Sequence, residues 1–213
     1  MAFDGITISN IVHDLNNTIL GGRLYKIAQP ESDELLLTIK TGQGQFRVVL
    51  SSNASLPLAY ITDDNKPSPA TAPNFVMLLR KHINNGRIIS ITQPSFERII
   101  DIEIEHLDEL GDLCRRHLIT EFMGKHSNII LCDDKNNILD SIKHVSAQMS
   151  SVREVLPGRT YFIPNTAGKH NPMDTDYERF STSVLICPKP LSKALCQTYT
   201  GISTCIAEEI CFR

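Results

Sequence analysis

Residues 121–161 read EFMGKHSNIILCDDKNNILDSIKHVSAQMSSVREVLPGRTY. Asn128 to Cys132 and Ile138 to Val145 are apolar segments of strand length, and the Asp133-Asp134-Lys135-Asn136-Asn137 run between them supplies the Asx residues that turn a chain back on itself. The pattern predicts two antiparallel strands. Lys125, His126, Lys143, His144, Arg153 and Arg159 then fall at strand ends and in connecting loops, where a rigid sheet holds polar groups towards a ligand. A core needs none of them, so they point to a surface for a large anionic partner.

Upstream, Ile100, Ile102 and Ile104 alternate with Asp101, Glu103 and Glu105, a period of two that predicts a strand with one buried and one wet face. Asp108-Glu109-Leu110-Gly111-Asp112 turns the chain into a strand carrying Arg115, Arg116 and His117, whose simplest role is cross-strand pairing with those acids. Ile8, Ile11, Val12, Leu15 and Ile19 recur at helical spacing, predicting an amphipathic helix from about Thr7 to Leu20 that Gly21 and Gly22 end. Strands are expected at Arg23 to Gln29, Glu34 to Thr41 and Gln45 to Ser51. The last two are joined by Gly42-Gln43-Gly44, a hairpin connection and not a phosphate loop, since no helix follows it.

Pro67, Pro69 and Pro73 mark a loop before a second helix, about Asn74 to Asn84, with Gly86 expected at its C-terminal cap. Its polar side carries Arg80 and Lys81, which read equally as a solvated face near the helix C-terminus or as phosphate contacts. Beyond Tyr161 the proline- and glycine-punctuated run Ile163 to Pro172 reads as a linker, followed by two short helices, Leu191 to Thr198 and Ser203 to Phe212. The expected organisation is a domain over residues 1–165, a linker over 166–180 and a partial helical region over 181–213, as in a fragment of a longer protein.

The chain has 213 residues, 41% of them hydrophobic, enough for a sizeable core. No stretch approaches the roughly 20 apolar residues that cross a bilayer, and the opening lacks a basic region followed by an apolar run. A cytoplasmic protein without membrane contact is expected. The six cysteines contain no C-x-x-C pair, so free thiols are expected, with no metal and no cofactor. The net charge of −3 alone argues against a polyanion binder. Its distribution softens the objection: Glu97 to Asp112 holds seven acids and one base, whereas Leu113 to His170 holds eight Lys or Arg against five acids. G-x-S-x-G, Walker and H-E-x-x-H signatures are all absent, so no catalytic residue is expected.

The MGKHSNIIL, DSIKHV and SSVREVLPGRTY segments, with the opening MAFDGI, RLYKIAQP and PNFVMLLRKHINNGRI, resemble in order the amino-terminal domain of the NFACT family. Its bacterial members are the RqcH proteins, also labelled fibronectin-binding protein A-like. The resemblance implies an α+β fold. It consists of an amino-terminal helix plus an antiparallel β-sandwich like the amino-terminal domain of the formamidopyrimidine-DNA glycosylases, followed by the start of a helix-hairpin-helix domain. Those enzymes attack with an amino-terminal proline; Ala2 stands here, so the nucleophile is absent and only the grip on nucleic acid is implied.

The family's Asp-Arg pair, associated with transfer RNA, matches Glu97 and Arg98, with an acid one methylene longer. By strand parity Arg98 is expected on the Ile100 and Ile102 side. Lys125, His126, Arg153, Arg159, Arg80 and Lys81 are further candidate RNA contacts. The implied partners are the large ribosomal subunit with a stalled peptidyl-tRNA, ribosomal RNA and alanyl-tRNA, recruited so that the stalled chain gains an untemplated alanine tail. The older label implies an alternative, a surface-exposed fibronectin-binding adhesin, which requires export.

Overall fold

The computed structural model describes residues 3–108, 110–164 and 168–213; Ala2, Glu109 of the acidic turn, and Asn165, Thr166 and Ala167 of the expected linker lie outside them. The first helix, α1 (Gly5–Ile19), starts where the Asp4 carboxylate accepts from the Thr7 amide at 2.9 Å, an N-cap contributing about 1 kcal/mol. It buries Ile8, Leu15 and Ile19, and Gly21 at φ +76° ends it. Strands β1 (Arg23–Glu31), β2 (Glu34–Thr41) and β3 (Gly44–Ser51) form the expected meander, and β4 (Leu58–Thr62) adds an edge strand that its short, mixed sequence did not announce.

Helix α2 (Asn74–Ile83) buries Phe75, Val76, Leu79 and Ile83. Its end differs from expectation. Asn85, not Gly86, takes the left-handed position at φ 63°. Gly86 is required for close packing instead, because a Cβ there would lie 2.5 Å from Ile104 Cγ2.

Strands β5 (Arg87–Thr92), β6 (Ile99–Leu107), β7 (Leu113–Glu121), β8 (Asn128–Asp133) and β9 (Ile138–Ser141) complete the sheet. All neighbours are antiparallel, in the order β4-β3-β2-β1-β5-β6-β7-β8-β9. The sandwich implied by the resemblance is therefore not built from two separately bonded sheets. The β1–β5 seam is short: Arg23 pairs with Arg87, flanked by backbone bonds from Leu24 N–H to the Gly86 carbonyl and from Ile88 N–H to the Gly22 carbonyl, each at 2.9 Å. Leu35, Leu37, Val48 and Leu50 from one half and Ile100, Ile102, Ile104 and Leu118 from the other enter one core with α1 and α2. Each such fully buried side chain contributes about 1.5–3 kcal/mol.

β9 stops at Ser141, short of the expected Val145, because the Asn128 side chain takes over the backbone of Lys143, donating to its carbonyl at 2.8 Å and accepting from its amide at 3.1 Å. The opposite face of β6–β9 holds a second cluster, Ile99, Ile119, Ile130, Cys132, Ile138 and Val155, covered by Tyr161 and Ile163.

The tail has its own small core of Val184, Ala194, Leu195, Tyr199 and Ala207. Part of the segment expected as linker is structured: Asn171 caps a turn at Pro172–Asp174 and Asp176 caps α3 (Tyr177–Phe180), which widens into a π turn over Ser181–Leu185. Helices α4 (Leu191–Thr198) and α5 (Thr204–Phe212) follow.

Candidate functional site

Between β5 and β6 the chain makes a tight 3-10 turn at Pro94–Phe96, in which Ser95 (φ 47°) and Phe96 (φ 60°) are both left-handed without being glycine. Each such residue costs about 1–3 kcal/mol and persists only where its surroundings hold it, a condition that recurs at functional sites. The restraints are explicit. The Gln93 amide donates to the Gly5 carbonyl at 2.8 Å and to the Glu97 carbonyl at 2.9 Å. The Gly5 N–H donates to the Gly201 carbonyl at 2.7 Å, and Ser203 Oγ donates to Asp4 Oδ2 at 2.6 Å. Phe96 lies against both glycines: a Cβ on Gly201 would meet its carbonyl at 2.3 Å, and one on Gly5 at 2.7 Å. The start of α1, the α4–α5 connection and the strained turn thus form one junction.

Glu97 and Arg98 leave that junction. Glu97 is buried, with 8% of its surface exposed, and Arg98 is half-buried in a bend just before β6. The parity assignment of Arg98 to one sheet face does not hold, since the strand begins only at Ile99. The Arg98 carbonyl accepts from the Phe122 amide at 2.9 Å, but its guanidinium makes no hydrogen bond or ion pair with any described residue. Five N–H donors in a planar fork are left for an external acceptor.

Ile99 is in register with Glu121, so Arg98 stands at the end of the hairpin where β7 gives way to the Gly124–His126 turn. Gly124 adopts φ 58°, and Lys125 and His126 project into solvent. Lys143, nearby at the end of β9, is committed inward: its ammonium donates to the carbonyls of Ser127 (3.1 Å) and Ser52. Burial pulls its pKa down.

The remaining candidates are elsewhere or engaged. Arg153 corrects the sequence reading: its Nη2 donates to both carboxylate oxygens of Glu121, which is fully buried, and its Nη1 donates to the Phe162 carbonyl at 2.6 Å, while Tyr161 Oη donates to Glu121 at 2.9 Å. Burial lowers the Arg153 pKa, but the Glu121 carboxylate outweighs it and the net shift is upward. Those donors are spent on the fold and unavailable to phosphate. Arg159 is exposed and paired with Glu154 at 2.9 Å. Arg80 grips the Ile27 carbonyl through two nitrogens, at 3.1 and 2.8 Å, tying α2 to β1, and Lys81 lies exposed beside it on α2. Neither is brought to Arg98 by any described contact.

The basic trio of β7 pairs across strands as expected for two members: Arg115 reaches Glu103 at 3.4 Å and His117 Nδ1 lies 3.0 Å from Asp101. The hydrogen bond to Asp101 raises the His117 pKa. Among the described residues no three His, Cys, Asp or Glu converge as metal ligands, and burial pushes the Cys132 thiol up to about 12. Sequence reasoning missed Asp4, Gly5, Gln93, Gly201 and Ser203, because their only local signals are two helix caps and two glycines.

The sequence pattern of the NFACT N-terminal and middle domains matches residues 4–213. The chain belongs to the NFACT family. It is 36% identical over 214 residues to the Rqc2 homolog RqcH of Bacillus subtilis, covering 100% of this chain and 38% of that protein. The NFACT chain therefore spans well under half the length of this relative. More distantly, it is 23% identical over 151 residues to the human ribosome quality control complex subunit NEMF, covering 71% of the chain and 13% of the relative. Its fold matches the crystal structure of the N-terminal domain of fibronectin-binding protein PavA from Streptococcus pneumoniae, with a TM-score of 0.90 and 34% identity, covering 98% of this chain and 78% of that one. The helix and antiparallel sheet are thus the family's own architecture.

Proposed function

We propose that this NFACT chain is the tRNA- and large-ribosomal-subunit-binding part of a cytoplasmic ribosome quality control factor. The factor recruits alanyl-tRNA to stalled peptidyl-tRNA, and untemplated alanines are added to the nascent chain. One observation carries the reading: the Arg98 guanidinium, without a partner among the described residues, issues from a braced, strained turn at the sheet end that also exposes Lys125 and His126. Phosphate contacts position a protein on RNA, and backbone-braced Arg and Lys side chains are suited to them. Buried Glu97 precedes Arg98 directly in the chain. The peptidyl transfer belongs to the ribosome, so the factor supplies binding and positioning, without catalytic residues of its own. In this reading the glycosylase-like scaffold and the helical tail serve as a non-enzymatic grip on RNA and ribosomal RNA.

The test is tRNA affinity of the full-length protein with Arg98→Ala, measured across a salt series. A loss of affinity with a salt slope reduced by about one unit is expected. Unchanged affinity removes the role. The structural likeness to a protein named for fibronectin binding favours a second reading, a surface adhesin. Cell fractionation separates the two: co-sedimentation with large ribosomal subunits supports the first, surface exposure the second.

A further inference from the structure

Behind the strained turn, on the face of the sheet opposite the main core, is a groove of about 220 Å³ lined by Pro94, Ile99, Asp101, Asn136, Tyr161 and Phe162, among others. Its size is informative. Pockets that bury a drug-sized ligand run to roughly 300–1,000 Å³, so this one suits a single ring system and not a whole nucleotide or cofactor. Its walls are apolar and aromatic. Tyr161 is fixed, with its hydroxyl on Glu121 and its ring under Arg153 at 5.2 Å, whereas Phe162 is half exposed at the rim.

Two polar groups converge on that apolar slot. The Asp101 carboxylate has His117 Nδ1 3.1 and 3.0 Å from its two oxygens, and it retains further lone pairs as acceptors. Asn136 is held at φ 61° with both backbone groups engaged, its N–H on the Asp133 carbonyl and its carbonyl accepting from Tyr161 N–H. Its side-chain amide makes no hydrogen bond with any described residue, leaving a donor and an acceptor free. A carboxylate that accepts from an exocyclic amine, an amide that both donates and accepts, and an aromatic face are the elements with which proteins read an unstacked base.

The geometry points to this groove as a binding site for one unstacked, amine-bearing RNA base, adenine or cytosine. Phe162 stacks on the base while Asp101 and Asn136 read its edge. The inference rests on the RNA-binding reading and deepens it, because the turn that leads into Glu97 and Arg98 also contributes Pro94 to the groove wall. A phosphate at Arg98 and a base in the groove would be contacts of one strand.

The experiment uses the full-length protein and three short single-stranded RNAs of equal length: an adenosine- and cytidine-rich strand, a uridine strand, and a strand with abasic residues. The abasic strand keeps the phosphates and removes the bases. Parent protein is expected to bind the amine-bearing strand roughly 5- to 150-fold more tightly than the abasic one, the range that base–aromatic stacking contributes, with uridine weaker than adenosine and cytidine. Phe162→Ala and Asn136→Ala should each reduce that preference while leaving abasic affinity unchanged, which also shows that the variants are folded. A parent without preference, or a preference that survives both substitutions, overturns the groove while RNA binding stands. If the parent binds none of the three strands and no tRNA, the RNA reading itself is lost, and the groove with it.

Discussion

The backbone N–H of Gly5 donates to the carbonyl of Gly201 across 2.7 Å, joining the first turn of the first helix to the loop between the last two. Phe96 is wedged against both residues, so the turn carrying Glu97 and Arg98 is shaped in part by a segment about a hundred residues further along the chain. Gly201 sits at φ +71°, and an alanine there would meet Phe96 O at 2.3 Å as well as bearing roughly 1–2 kcal/mol of left-handed strain. Gly201→Ala should therefore release the tail from the turn. Amide exchange should accelerate in α4, α5 and the amides of residues 95–98, and tRNA affinity should fall with it. Exchange rates equal to the parent's would show that the contact does not brace the turn.

Glu121 is fully buried and holds both Arg153 and the Tyr161 hydroxyl. Glu121→Ala leaves a guanidinium in the interior without its counter-charge, a loss of about 3–5 kcal/mol. Tyr161→Phe removes a single hydrogen bond to a carboxylate and should cost less, about 1.5–3 kcal/mol. Urea denaturation checks both, and equal effects would contradict the structural role assigned to the ion pair.

His117 gives the fold a pH dependence whose sign follows from its raised pKa. The folded state binds the proton more tightly than the unfolded state, whose ordinary value is 6.5. The stabilisation is thus fully present below about pH 6.5 and is lost as pH rises through the higher folded value. Melting temperature should decline across that window, and His117→Gln should flatten the decline. A slope unaltered by the substitution would assign it to other groups.

Lys143 satisfies the carbonyls of Ser52 and Ser127 with one ammonium, joining the segment after β3 to the start of β8. Lys143→Met keeps the stem and deletes the donors, leaving two buried acceptors, so a loss of about 1–3 kcal/mol is expected. If this lysine instead served RNA, the same variant would weaken tRNA binding at unchanged stability, and the two readouts separate the roles.

Much of the fold was legible because its signals are local. The 3.6-residue recurrence of Ile8, Leu15 and Ile19 and the strict alternation of Ile100, Ile102 and Ile104 are properties of neighbouring residues, and α1 and β6 follow them. β4 escaped because an edge strand of five residues carries too little pattern. The end of β9 escaped because the Asn128 side chain, fifteen residues away from Lys143, decides it. Gly86 looked like a helix cap by position, whereas the proximity of Ile104 is what demands a glycine there.

The sequence by itself determined most of the elements and the family, and it singled out Glu97 and Arg98 as candidates. It could not rank the arginines, because a guanidinium has the same chemistry whether it is buried or open. Tertiary structure decided that Arg153 is spent on Glu121 and Arg80 on Ile27, while Arg98 meets no described partner. It also decided that Asp4 and Ser203, 199 positions apart, hold the same junction. Such pairings depend on how the whole chain closes on its core, and no spacing along the sequence encodes them.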